Sequence, residues 1–191
     1  MAHAGSSAYF VYPRYDRGAR PCLRFPGQQV GLVVNKPWTT IFSGGQTGVD
    51  RAALDWAIEK GWPHAGFCPL GRIAEDGPIP ERYFLTESSS SSYSVRTRLN
   101  VMHCEATLVL STQPTRGGTA LTQKYAIETG KPLFTLSPES KALHFEEFSL
   151  FLARERPSSL NVAGPRLSEW ERGPDFARQA LDATVGNLKL I

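Results

Sequence analysis

From Thr39 onward, short apolar runs alternate with stretches of helical periodicity, and this alternation restricts the fold more than any other feature of the chain. Strands separated by helical patterns of roughly 10–15 residues pair in parallel, with the helices crossing over the sheet. Thr39 to Phe42 is the first run. A helix is predicted from Asp50 to Lys60, where Ala53, Leu54, Ala57 and Ile58 share one face and Gly61 supplies the stop. His64 to Phe67 reads as a second strand and Tyr83 to Leu85 as a further one, while the loop between them is too rich in Gly and Pro for regular structure. Five serines, Ser88 to Ser92, would cut the alternation if they formed a linker; as N-capping residues they open a helix from Tyr93 to His103. Ala106 to Leu110 is the clearest buried strand. Helix from Thr119 to Thr129, strand from Pro132 to Leu136, helix from His144 to Arg154, strand from Leu160 to Val162 and helix from Pro174 to Leu188 complete an α/β pattern around a parallel sheet.

The 191 residues are enough for one domain with some excess, since a typical domain takes about 100–150. The alternation assigns residues 39–191 to that domain. Residues 1–38 form an N-terminal extension, partly ordered or packed on the domain, in which only Gln28 to Val34 has strand character. This segment holds Arg14, Arg17, Arg20, Arg24 and Lys36 against Asp16 alone, a net +4, so the domain carries −1 of the formal total of +3. A basic arm of this kind is more often solvated than bound to nucleic acid. No apolar run approaches the roughly 18 residues of a membrane span, and no basic segment with an apolar core opens the chain, so no membrane association and a cytoplasmic location are expected. Cys22, Cys68 and Cys104 are odd in number and widely spaced, which fits neither a disulfide framework nor a structural metal site.

Two glycine-rich loops follow predicted strands and precede predicted helices. In Ser43, Gly44, Gly45, Gln46, Thr47, Gly48, Val49 and Asp50, glycines let successive N–H groups turn toward an anion, and the hydroxyls of Ser43 and Thr47 can add donors. It is neither a GxGxxG fingerprint nor a Walker A loop. Arg116, Gly117, Gly118 and Thr119 repeat the arrangement with a fixed positive charge. Ligands of an open parallel sheet bind beyond the carboxyl ends of its strands, where these loops lie, so an anionic small ligand is expected. The irregular loop from Gly71 to Pro80 offers Arg72 to such an anion, and Glu75 and Asp76 as hydrogen-bond acceptors or as a general base; the alternative is a salt-bridged surface turn. Asp50 is a third candidate acid.

The blocks SGGQTGVDRAALDWAIEKG, HAGFCPLGRIAEDGPIPERY, YSVRTRLNV, ATLVLS with RGGTALT, GKPL and LNVAGPRLSE resemble, in order, the molybdenum carrier family (molybdenum cofactor carrier proteins). That family is similar to a wider group that includes YpsA, DNA-processing protein A and the lysine-decarboxylase-like phosphoribohydrolases. The resemblance implies a Rossmann-like doubly wound, mainly parallel sheet with helices on both faces, and a homo-oligomer, dimer or tetramer. It further implies storage or transfer of molybdenum cofactor, a phosphorylated pterin, to molybdoenzymes. The pterin phosphate would fall on Gly44 to Gly48 and Gly117 to Thr119, and its ring edge on the Arg72 to Asp76 loop, with no metal ligand required of the protein. The phosphoribohydrolases, which act on nucleotides, carry a glutamate after their glycine motif; Gln123 and Lys124 stand where that acid is expected. The departure speaks against their N-glycosidic hydrolysis here, unless Asp50, Glu75 or Asp76 substitutes.

Overall fold

The structure is a computed structural model that describes residues 40–112, 114–139 and 143–187. The extension expected over residues 1–38 and the end of the last helix at Leu188 lie outside the described residues. In chain order the elements are β1 (Thr40–Phe42), α1 (Val49–Glu59), β2 (His64–Ala65), β3 (Phe67–Cys68), β4 (Ile73–Ala74), β5 (Gly77–Pro78), β6 (Thr86–Glu87), α2 (Tyr93–His103), β7 (Ala106–Leu110), α3 (Gly117–Glu128), β8 (Leu133–Leu136), α4 (Leu143–Glu155), β9 (Ser159–Ala163) and α5 (Gly173–Asn187).

Strand side chains alternate between two sheet faces, and the burial follows that period. Ile41, Leu108, Leu110, Leu160 and Val162 pack with Val49, Ala53 and Trp56 of α1, Phe148 and Leu152 of α4, and Ala177, Ala180 and Leu181 of α5. One residue out of phase, Thr107 and Asn161 are also buried, and the Asn161 amide donates to the Thr107 hydroxyl at 3.5 Å. Helices α2 and α3 pack on each other, as α5 does on α1 and α4.

Five parallel strands run in the order β2-β1-β9-β7-β8. The last strand of the chain thus lies at the sheet centre. Counted from β9, then β1, β2, β7 and β8, the spatial order becomes 3-2-1-4-5, that of a doubly wound Rossmann half-sheet. The chain is such a sheet with its first strand moved to the end.

Three local expectations need correction. The run His64 to Phe67 divides at Gly66, where φ is +149° and a Cβ would stand 2.0 Å from the Ser43 carbonyl oxygen; only glycine lets the end of β1 pass so close. Tyr83 to Leu85 is a turn whose Tyr83 ring is buried; the strand, β6, starts one residue later and pairs with β3. The loop thought too irregular for pairing holds the β4–β5 hairpin, turned by Glu75 and Asp76. In addition, Ser92 occupies the N-cap position of α2 but makes no capping hydrogen bond; its hydroxyl meets that of Ser94 at 2.8 Å.

Candidate functional site

In a doubly wound sheet the ligand crevice opens where the strand order reverses, here between β9 and β7. The loops leaving those two strands enclose a cleft of about 400 Å³ lined by Ser111, Thr112, Pro114, Arg116, Pro165 and Glu169. That volume suits a small-molecule ligand. Arg116 sits at the N-cap of α3 in extended backbone, and Gly117 follows at φ +53°. The helix has no side-chain cap and no acid in its first turn, so its positive end is neither bonded nor offset by its own side chains. Arg116, Gly117 and Gly118 are exposed, Thr119 is buried, and a Cβ built on Gly118 meets nothing within 4 Å.

The other glycine loop differs. Every residue from Ser43 to Asp50 is buried. The Ser43 hydroxyl donates to the Val162 carbonyl at 2.8 Å, and the Gln46 side-chain oxygen accepts the Thr47 and Glu75 N–H groups at 3.0 and 2.9 Å. A Cβ on Gly45 would strike Leu85 at 2.6 Å, and one on Gly48 the Pro165 carbonyl oxygen at 2.6 Å. The glycines here admit neighbouring chain, and no open anion nest is left.

The cover is the β4–β5 hairpin. Glu75 accepts from Thr47, from the Ser168 hydroxyl at 2.6 Å and from the Ser168 N–H at 3.3 Å, while Asp76 pairs with Arg51, whose Nε reaches the Gly45 carbonyl at 3.2 Å. Arg72, at φ +50°, donates to the carbonyls of Ile79, Leu85, Pro80 and Tyr83 at 3.0 to 3.2 Å. Its guanidinium holds its own loop. Glu75 and Asp76 are latches, closer to the salt-bridged turn than to an acid/base pair.

Asp50 lies beneath the same loop. Burial pushes its carboxyl above the ordinary range; the Arg96 guanidinium at 3.1 Å and the N–H groups of Gln46 and Gly164 pull the other way. Arg96 also presses on Gly44, where a Cβ would stand 1.8 Å from Nη1. The pair ties α1 to α2. Burial raises the Cys68 thiol, the wrong direction for a nucleophile. Among the described residues, no three His, Cys, Asp or Glu side chains converge on a metal position.

Of the residues singled out in the sequence, Arg116 lines the cleft and is followed in the chain by the exposed Gly117 and Gly118, while Asp50, Arg72, Glu75 and Asp76 lie in the adjoining packing. Sequence reasoning missed Ser111, Thr112 and Glu169. The signal for Glu169 was the Gly164-Pro165 turn after the last strand, which acquires its meaning once that strand is placed at the centre. A second cleft of about 280 Å³, lined by Pro138, Trp170, Arg172, Asp175, Phe176 and Gln179, flanks the same turn. There the helix end belongs to α5, and Asp175 in its first turn offsets the dipole.

The displaced first strand has a counterpart among known families: the circularly permuted YpsA family of SLOG proteins matches residues 41–185. The chain belongs to this family. The crystal structure of a Syntrophus aciditrophicus SB protein, named there as a molybdenum carrier protein, is similar to this YpsA-type chain with 36% identity and a TM-score of 0.73, over 78% of this chain and 95% of that one. A comparison with curated proteins finds no match.

Proposed function

We propose that the protein binds molybdenum cofactor, or a similar phosphorylated pterin, in the β7–β9 cleft and carries it as cargo, for delivery to molybdoenzymes. The observation behind this reading is the glycine-opened, uncapped start of α3 beside Arg116 at the mouth of a cleft at the strand-order reversal. The terminal phosphate is placed against the N–H groups of Gly117 to Thr119 and the Arg116 guanidinium; the pterin occupies the cleft. The name of the Syntrophus relative supports the choice of cargo. The protein contributes anion and ring binding, and the dithiolene of the cofactor keeps the metal.

Purified protein exposed anaerobically to released cofactor is expected to retain molybdenum and pterin in equal amounts after gel filtration, which also reports whether it is a dimer or tetramer. Gly118→Asp should abolish retention. The substitution has open space, and an acid in the first turn of a helix stabilises it, so lost binding is separable from lost folding. Retention unchanged in the variant would overturn the placement.

A second reading rests on Glu169, a carboxylate that does line the cleft. In it the ligand is a nucleotide, and the protein is an enzyme of the phosphoribohydrolase type. Release of free base from nucleoside monophosphates, lost in Glu169→Gln, is its test.

A further inference from the structure

The cleft carries two opposite charges, and only one of them suits a phosphate. Arg116 stands at the α3 end, and Glu169, on the turn after β9, also lines the cleft. The Glu169 side chain is 47% exposed, and its Oε1 accepts from Arg166 Nε at 3.0 Å. Arg166 Nε in turn lies 3.9 Å from Glu75 Oε2, and Glu75 is held by Thr47 and Ser168. The carboxylate is therefore held through one oxygen, while its Oε2 meets no hydrogen-bond donor among the described residues. Each carboxylate oxygen has two acceptor positions, and an ionised carboxylate accepts only. The Ser111 hydroxyl, a neighbour in the lining, is already donating to the Thr112 carbonyl at 2.9 Å.

An occupant that meets both side chains offers an anionic group to Arg116 and N–H donors to Glu169. Many phosphorylated heterocycles meet the first condition. Few meet the second with a planar pair of donors, which is what a carboxylate accepts best, as it does from the paired N–H groups of arginine. A 2-amino-4-oxopyrimidine ring presents a ring N–H and an amino group side by side, and this edge is shared by guanine and by pterins. Adenine and cytosine place a ring acceptor beside the amino group, which would face the carboxylate and repel it.

We infer that Glu169 is the specificity-determining residue of the cleft, selecting phosphorylated ligands that carry a 2-amino-4-oxopyrimidine edge, whether a guanine nucleotide or a pterin. This rests on the reading that the α3 end holds the ligand's anion. Hydrogen bonds to charged groups are worth roughly 10- to 150-fold in affinity.

Titration calorimetry of the full chain with inorganic phosphate, AMP, GMP and dihydroneopterin monophosphate tests it. GMP or the pterin monophosphate, or both, should bind at least about tenfold tighter than AMP, and whichever is tighter identifies the source of the edge. Glu169→Gln should bring both to within a few-fold of AMP, with inorganic phosphate still bound. Wild-type protein that binds phosphate and Gly118-dependent monophosphates, but does not distinguish GMP or the pterin from AMP, overturns the role of Glu169 and leaves the anion site standing. Absence of binding by every probe overturns the site itself.

Discussion

At the scale of single residues, glycines of similar appearance in the sequence do opposite things. Gly118 faces open space, whereas a Cβ on Gly164 would stand 2.5 Å from the Leu110 carbonyl oxygen and 2.7 Å from the Val49 side chain. Gly164 lets β9 leave the sheet against the end of β7. Gly164→Ala should therefore lower stability in urea unfolding by about 2 kcal/mol, the usual cost of forcing an extra carbon into packed structure. A midpoint equal to that of the parent would show that the turn relaxes freely. The Asp50–Arg96 pair makes a second prediction. Asp50→Ala leaves a guanidinium, 13% exposed, facing no carboxylate, and breaking such a buried pair costs about 3–5 kcal/mol. Thermal unfolding of Asp50→Ala alone, and together with Arg96→Met, measures this; the double variant should recover part of the loss.

At the scale of elements, the β4–β5 hairpin is held down chiefly by carboxylates. Burial works upward on Glu75, but hydrogen bonds from Ser168 and Thr47 and the nearby Arg166 outweigh it and hold the group below its ordinary 4.5; Asp76 is held below 3.8 first by its hydrogen bond to Arg51. For carboxylates lowered in the folded state, the stabilisation is present above the ordinary value and is lost as pH falls through the lowered one. Amide protection at Gly44 to Gly48, measured against the intrinsic exchange rate at each pH, should consequently fall as the pH drops below about 4, while protection in β7 holds. Glu75→Gln with Asp76→Asn should show the lower protection already at neutral pH and lose the acid dependence.

The same hairpin marks where sequence reading stops. The long periodic elements were legible: α2 and β7 have the predicted bounds, and α1, α3, β8 and α4 begin and end within two residues of theirs. Ala106 to Leu110 announces itself because a strand buried on both faces has no polar alternation to hide it. The pairings of Ile73 with Pro78 and of Thr86 with Phe67 are two residues long, too short to leave a period. For the site, composition located two glycine loops but could not tell which one faces solvent. That depends on Leu85, Ile79 and Pro165 arriving from distant segments to fill the first.

At the scale of the whole molecule, strand order defines the site. The alternation predicted a parallel sheet, yet alternation is blind to which strand lies in the middle, and β9 separates the two glycine-bearing strands β1 and β7. If the sheet is a Rossmann half-sheet with relocated ends, moving the connection should be tolerated. A chain beginning near Ser158, with α5 joined by a flexible linker to the segment before β1, should fold to the same circular dichroism spectrum and bind the same ligands. Failure of that permutant to fold would mean that the present ends are part of the architecture.

The central position of β9 also sets an order of events during synthesis. When residues 40–155 have emerged from the ribosome, β2-β1 and β7-β8 are two separate pairs, each with a bare inner edge. Unpaired edges of this kind invite contact with other chains. The strand that joins them opens the last 29 residues described, Ser159 to Asn187, so the two pairs stay unjoined until it is made. A truncation just before Ser159 should therefore yield aggregate, not a smaller domain.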